Sequence, residues 1–367
     1  MRTSEKLFVD VHVLQSVPPS CVNRDDTGSP KTAIYGGVMR ARVSSQSWKK
    51  AMRDMFKDIF PEDSLGYRTK RIVGMVANEI RVLGGEEPEQ AAEKILKNAG
   101  LNIKSVEKGT DALFFMSVAQ AKALAKLAVE EPETIQDKPS RGTKEAILNA
   151  LKQSPSIDIA LFGRMVADDP SLNTDACSQV AHSISTHKVS NEYDYFTAVD
   201  DLSLEDSTGA GHIGTVEFNS STLYRYATVD AHNLYKNLQG DTPEAICGFV
   251  RAFAFSMPTG KQNTFANRTL PDAVLVTLRT DQPINLVGAF ERPVKAGRNS
   301  DEGYVEASAR AFVKHAQQVY KDWLGEPEIS FITGELFAEL GEKLPFMELL
   351  EELKNNLTHH FESDGDV

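Results

Sequence analysis

The sequence predicts an α+β fold: an antiparallel sheet of split β-α-β layout that carries an α-helical insertion and a long β-hairpin. Three observations predict it. β-Branched apolar runs and amphipathic helical stretches recur at both ends of the chain. A polar-rich segment of helical periodicity, from about 64 to 152, separates the first strand–helix pair from the rest. A segment rich in aromatic and acidic residues, 189–213, lies between two strand-like flanks.

Taken in order, residues 7–14 (LFVDVHVL) read as a buried strand, followed by a polar loop with Pro18, Pro19, Asp25, Asp26, Gly28 and Pro30. Residues 34–43 read as a strand or hairpin, in which Gly36–Gly37 permits a bulge or a close backbone approach. Ser44, Ser45 or Ser47 then caps a helix whose apolar stripe is Trp48, Met52, Met55, Phe56 and Ile59. The insertion reads as helices at 68–83, 88–99, 110–130 and 143–152. Residues 157–166 resume a strand-like pattern, and 175–187 look helical. Strands at 191–199 and 214–229 flank Gly209 and Gly211, as a protruding hairpin requires. A helix at 242–256, strands at 273–280 and 284–290, and a long amphipathic helix at 303–324 complete the body. Without the insertions the order is strand, helix, strand, strand, helix, strand, the layout of ferredoxin-like and RRM folds. Such a sheet, with helices on one face, can offer its other face to RNA.

Composition narrows the function. The chain has 367 residues, 41% hydrophobic and 25% charged, which are ordinary globular values. No apolar run approaches a membrane span, and Met1–Asp10 lacks the pattern of a secretory signal. Cys21, Cys177 and Cys247 are scattered, which fits a reducing cytosol better than a disulfide framework or zinc knuckle. His182 and His187 face different sides of a helix, and His359–His360 fall in a segment expected to fray, so no metal or cofactor is expected. The net charge of −12 is unevenly spread: from Asp322 onward 12 acidic residues face 2 basic ones. Between Arg24 and Arg53, seven basic residues face only Asp25 and Asp26. A local patch, rather than the global sum, governs phosphate binding.

Three passages carry a resemblance. They are HVLQSVPPSCVNRDDTGSPKTAIYGGVMRARVSSQSWKKAMR (12–53), IDIALFGRM (157–165), and THKVSNEYDYFTAVDDL (186–202) leading into GTVEFNSSTLYRYA (214–227). Together they closely resemble the CasC-type backbone subunit of type I-E CRISPR Cascade, with weaker continuation through PTGKQNTFA at 258–266. The resemblance implies an RRM/ferredoxin-like palm with an α-helical fingers insertion and a β-hairpin thumb. On the sequence these map to palm at 1–60, fingers at 61–155, a palm connection at 156–188, thumb at 189–213, palm again at 214–325 and an acidic C-terminal segment at 326–367. It further implies a non-catalytic cytoplasmic subunit without cofactors. Its partners would be the guide (CRISPR) RNA, target DNA paired to that guide, other copies of itself and other Cascade subunits.

The basic residues then acquire roles. On the helix after Ser44, Lys49 and Arg53 share a face, with Gln46, Lys50 and Lys57 beside them. Alone this pattern is more often a solvated surface. The strand before it carries Arg40 and Arg42, and a helix N-terminus favours phosphate. By resemblance, Arg24, Lys31, Ser44, Gln46, Lys49 and Arg53 contact the guide RNA, and Lys49→Ala with Arg53→Ala should lose RNA while the chain stays folded. Relatives can carry a denser basic run after the glycine pair, where this chain has Val38 and Met39. Arg68, Lys70 and Arg71 in the fingers can compensate, or simply solvate a helix start. Resemblance also places Tyr195 and Phe196 of the thumb against a displaced nucleotide, with Met165 as a second wedge and Lys261–Gln262 at the RNA. The competing chemistry is Mg²⁺-dependent RNA cleavage by Asp25 and Asp26, since paired carboxylates can hold Mg²⁺. An Asp pair beside Arg24 can equally cap a loop.

Overall fold

The computed structural model describes residues 6–153, 155–166, 169–198, 212–296 and 302–364. The chain adopts the expected α+β class and divides into two compact units. Unit 1 comprises residues 1–52, 180–228 and 249–356; unit 2 comprises 53–179, 229–248 and 357–367. The predicted insertion thus lies in a larger unit that also takes in residues from the middle and end of the chain.

The apolar opening run forms β1 (Phe8–Ser20), longer than expected because the extended conformation fixed by Pro18 and Pro19 continues the strand. β2 (Thr32–Tyr35) and β3 (Val38–Val43) make a hairpin around Gly36–Gly37, both at positive φ (58° and 76°) as a two-residue turn requires. α1 (Ser45–Ile59) follows, and Ser44 Oγ accepts from Ser47 N at 3.3 Å.

The insertion supplies β4 (Gly66–Thr69), α2 (Ile72–Val82), α3 (Pro88–Asn98), β5 (Ile103–Ser105), β6 (Gly109–Thr110), β7 (Phe114–Ser117), α4 (Val118–Glu130) and α5 (Arg141–Lys152). Two predicted helices begin later than their periodicity suggested, because Gly66–Thr69 pairs with Phe114–Ser117 as strand. Ser117 and Gln120 form a capping box that starts α4.

Residues 157–166, read as strand, instead form α6 (Ile157–Phe162). Ile157 through Leu161 are all buried, so no alternation of faces exists, and Gly163 at φ 76° stops the turn. Residues 175–187, read as helix, are two short strands, β8 (Ser178–Val180) and β9 (Ser183–Ser185). Their serines are internal acceptors: Trp48 Nε1 donates to Ser183 Oγ at 2.9 Å, and Ala41 N to Ser185 Oγ at 3.0 Å.

β10 (Glu192–Ala198) and β11 (His212–Asp230) pair antiparallel, from Glu192↔Phe218 to Ala198↔His212, as expected for the hairpin. Its tip, with Asp200, Asp201, Gly209 and Gly211, lies outside the described residues. Then come α7 (Ala231–Leu238), α8 (Thr242–Phe255), α9 (Gln262–Phe265) and β12 (Ala273–Arg279). The strand expected at 284–290 is a 3-10 turn, started by Asn285, whose side chain accepts from Val287 N at 3.0 Å. α10 (Tyr304–Val319) ends in a π turn before Gly325. The acidic end is ordered: β13 (Ile329–Thr333), β14 (Glu342–Lys343) and α11 (Phe346–Asp364), which buries Leu349, Leu353 and Leu357. His359 and His360 therefore sit on a helix rather than in a frayed tail.

The main sheet runs β14-β13-β12-β1-β11-β9-β3-β2, with β8 and β10 pairing off β11. Its central strands are buried on both faces, since β1 from Val9 to Gln15 and all of β12 are inaccessible. Against one face lie Phe290, Phe312 and Phe337, packed with Leu14, Tyr224 and Leu275. On the other, Arg225 is sandwiched between Trp48 (3.8 Å) and Phe253 (4.6 Å). The sheet face expected to be open to RNA is thus covered. In unit 2, α2–α5 enclose a separate core around Ile80, Ile95, Leu124 and Ile147.

Candidate nucleic-acid interface

The loop from Cys21 to Lys31 is built on Asp25. Its Oδ1 accepts from Thr27 N (3.0 Å), Thr27 Oγ1 (2.7 Å) and Ser29 N (3.0 Å). The Thr27 hydroxyl, foremost among these bonds, holds the Asp25 carboxyl below its ordinary range. This carboxylate closes a loop, and its neighbour Arg24 projects exposed beside it. Among the described residues no group of three or more His, Cys, Asp or Glu is placed to hold a metal ion. Asn23 ties the loop to the start of α1: Ser44 N donates to Asn23 Oδ1 at 2.9 Å, and Lys31 N to Asn23 O at 2.8 Å.

The two arginines of β3 part company. Arg40 is fully buried. Its guanidinium donates to the carbonyls of Tyr35 (3.1 Å), Ser185 (2.9 Å), Phe290 (2.8 Å) and Glu291 (3.3 Å). It is an internal brace, and the expectation that it binds phosphate is corrected: its donors are already consumed away from solvent. Gly36 belongs to the same brace, because a Cβ there would collide with the Glu291 carbonyl. Arg42 stays half-exposed, with Nε on Thr32 O (3.1 Å) and Nη1 on His182 Nδ1 (3.1 Å). Since arginine only donates, His182 Nδ1 accepts. Desolvation first, then the charges of Arg42 and Lys31, lower the His182 pKa, so these cations share one electropositive spot. Asn23, Lys31, Arg42, Asn219 and Ser221 line a shallow cleft there.

Lys261 joins this set from far along the chain. Gly260 packs so closely on the Cys21–Val22 backbone that no Cβ fits, and Lys261 adopts φ 51° just after it. Lys261 and Arg24 both act electrostatically on the Cys21 thiol, which burial raises. Gln262 is exposed at the start of α9, and Phe265 of that helix meets Phe218 at 5.7 Å, at the base of the hairpin. Asn219 Nδ2 donates to Asn191 Oδ1 (3.1 Å) and Asn191 Nδ2 to Glu217 Oε2 (3.2 Å), closing that base.

Every residue of β10 is exposed. Tyr193 and Tyr195 lie on one face, and Phe196 on the other. Phe196 pairs with Gly214, and its ring occupies the space where a Cβ of residue 214 would stand. Gly214 therefore sets how Phe196 lies across the hairpin, a device known to stabilise strand glycines.

On α1, Gln46 and Lys50 are exposed, while Lys49 is half-buried and its pKa is lowered by desolvation. Ser44 is buried as the cap. In unit 2, Arg53 is committed: its Nε donates to Asp158 Oδ2 (3.1 Å), Nη2 to Gly66 O (3.3 Å), and its guanidinium lies 4.4 Å from the Phe115 ring centroid. Asp158 is buried and also accepts from Ser156 Oγ (2.7 Å) and Gly66 N (2.9 Å). The expectation that Arg53→Ala leaves the chain unharmed is corrected, because it would strand a buried carboxylate. Arg68 shares the Phe115 ring (5.1 Å) and is exposed, as is Arg71 at the start of α2. Met165 is 84% exposed. Arg164 beside it is buried and donates to the carbonyls of Phe115, Leu151 and Leu172 and to Gln120 Oε1. Its pKa falls to about 10 through desolvation, and the anchored Arg164 holds the Met165 backbone in place.

Sequence reasoning missed Asn23, His182, Arg164 and Gly214. Only Gly214 left a signal, a glycine inside a β-branched run.

A family model described as CT1975-like protein matches residues 9–355. A solved chain described as "CRISPR RNA-guided surveillance complex, pre-nicking" is 31% identical, covering 95% of this chain and 100% of that one at a TM-score of 0.78. A second, described as "CRISPR RNA-guided surveillance complex", is 28% identical over 95% of this chain and 99% of that one, at a TM-score of 0.62. No curated protein matches the chain. These similarities bear out the family resemblance read from the three sequence passages.

Proposed function

We propose, since the chain belongs to the CT1975-like protein family, that it is a non-catalytic backbone subunit of a type I-E CRISPR surveillance complex. Several copies bind one guide RNA through its phosphates, kink it with the hairpin and leave its bases free to pair with target DNA. The strand order β12-β1-β11-β9, with α1 after the first of these strands in sequence and α8 before the last, supports an RRM-like palm. The helical core of unit 2 supports the fingers, and β10–β11 the thumb.

The observation that carries this reading is the gathering of Arg24, Lys31, Arg42 and Lys261 around one loop and cleft, from segments far apart in sequence. These cations, set beside Asp25 and Glu217, are of the kind that contact phosphate oxygens and so fix register without reading sequence. Specificity is then left to base pairing. The test is to express the chain with its partner subunits and a repeat-containing transcript. A discrete RNA of uniform length should co-purify and stay intact with Mg²⁺, and so should added complementary RNA. A folded assembly that retains no RNA would refute the clamp. Cleavage abolished by Asp26→Ala would refute the non-catalytic reading.

A further inference from the structure

Unit 2 holds a histidine pair that no part of the proposed clamp uses. α7 starts on an Asp230 cap, whose Oδ1 accepts from Asn233 N at 2.9 Å. The last turns of α11 lie against it: Phe361 stacks on Tyr235 with centroids 4.3 Å apart and planes 9° from parallel. Beside that stack, His232 Nε2 and His360 Nε2 are 3.3 Å apart, with the rings at 85°.

We propose that His232 and His360 form a binding site for one nitrogen-seeking divalent transition-metal ion, of the Zn²⁺ class, that clasps α7 to α11. Two imidazole nitrogens bound to a tetrahedral zinc at ~2.0–2.1 Å stand ~3.3 Å from each other. That is the separation found here before any ion is considered. Both side chains are half-exposed, so an ion can enter from solvent. Both are mounted on helices that the Tyr235–Phe361 stack already holds together, so binding needs little rearrangement. At this distance one Nε2 donates to the other, and the ion takes the place of that hydrogen bond. No third His, Cys, Asp or Glu completes the set among the described residues, so water fills the remaining positions. Such a two-nitrogen site holds an exchangeable ion rather than a permanent structural zinc. It also discriminates against Mg²⁺, which takes oxygen ligands.

The experiment uses untagged, EDTA-stripped full-length protein titrated with ZnCl₂ by calorimetry, with thermal unfolding alongside. One equivalent should bind in the micromolar range and raise the unfolding midpoint. His232→Gln and His360→Gln should each weaken binding at least tenfold, while His359→Gln, at the exposed neighbouring position, keeps it. No stoichiometric binding to the wild type, or wild-type affinity in both glutamine variants, would overturn the site. Should a variant not fold, the EPR spectrum of Cu²⁺ added to the wild type decides. Splitting from two nitrogen ligands supports the clasp, and one or none overturns it.

Discussion

At the scale of single residues, identical side chains two positions apart do different work. Arg40 saturates four carbonyls inside unit 1, and Arg42 faces the cleft. Arg40→Ala should therefore cost roughly 2–4 kcal/mol in urea unfolding, because buried acceptors lose their donor. Arg42→Ala should stay within about 0.5 kcal/mol of the wild type yet weaken RNA binding. Two buried titratable groups of β1 make a second prediction. Burial lowers the His12 pKa to about 3, and raises that of Asp10 to about 6, against the Ile284 N–H and the Tyr226 hydroxyl that favour its charged form. His12 contributes stability present above its ordinary 6.5 and lost as pH falls through about 3. Asp10 contributes stability present below 3.8 and lost as pH rises through about 6. Between pH 6 and 4 the two slopes oppose. Asp10→Asn should unmask His12, so that stability falls by up to ~1.4 kcal/mol per pH unit on acidification, measured by urea unfolding across that range.

At the scale of elements, the hairpin is the test case. Its alternation and its flanking strands are local signals, so its existence was readable. The seat of Phe196 on Gly214 was not, because the register that pairs them is set across the hairpin. Gly214→Val should displace the Phe196 ring and give the same guide-RNA footprint as Phe196→Ala, with regular kinks lost. The unfolding midpoint of the body should stay unchanged. The stacking at stake is ~1–3 kcal/mol per base. α6 makes the opposite point. Six residues that alternate on paper became a helix because both sides are enclosed and Gly163 supplies the stop. Likewise β8 and β9 formed where a helix was expected, since Ser183 and Ser185 are needed as acceptors for Trp48 and Ala41.

At the scale of the whole molecule, the acidic total hides a local gathering of cations around the Cys21 loop. Residues from Asp322 onward are largely folded into β13, β14 and α11, so the acidic excess belongs to those elements and not to the Cys21 loop. Binding should weaken with salt, and Lys31→Ala with Arg42→Ala should reduce the slope of log K against log salt by ~0.7 per lost phosphate contact. An unchanged slope in filter binding would remove this cleft from the interface. The sequence by itself determined the class, the helical insertion, the glycine-turned hairpin, the capped α1 and the family, because propensity, periodicity and motif order are local. Only the tertiary structure decided which cations remain available and that both sheet faces are covered. Burial and hydrogen-bond partners come from residues hundreds of positions away, as when Phe290 claims Arg40 and Gly260 brings Lys261 to Arg24.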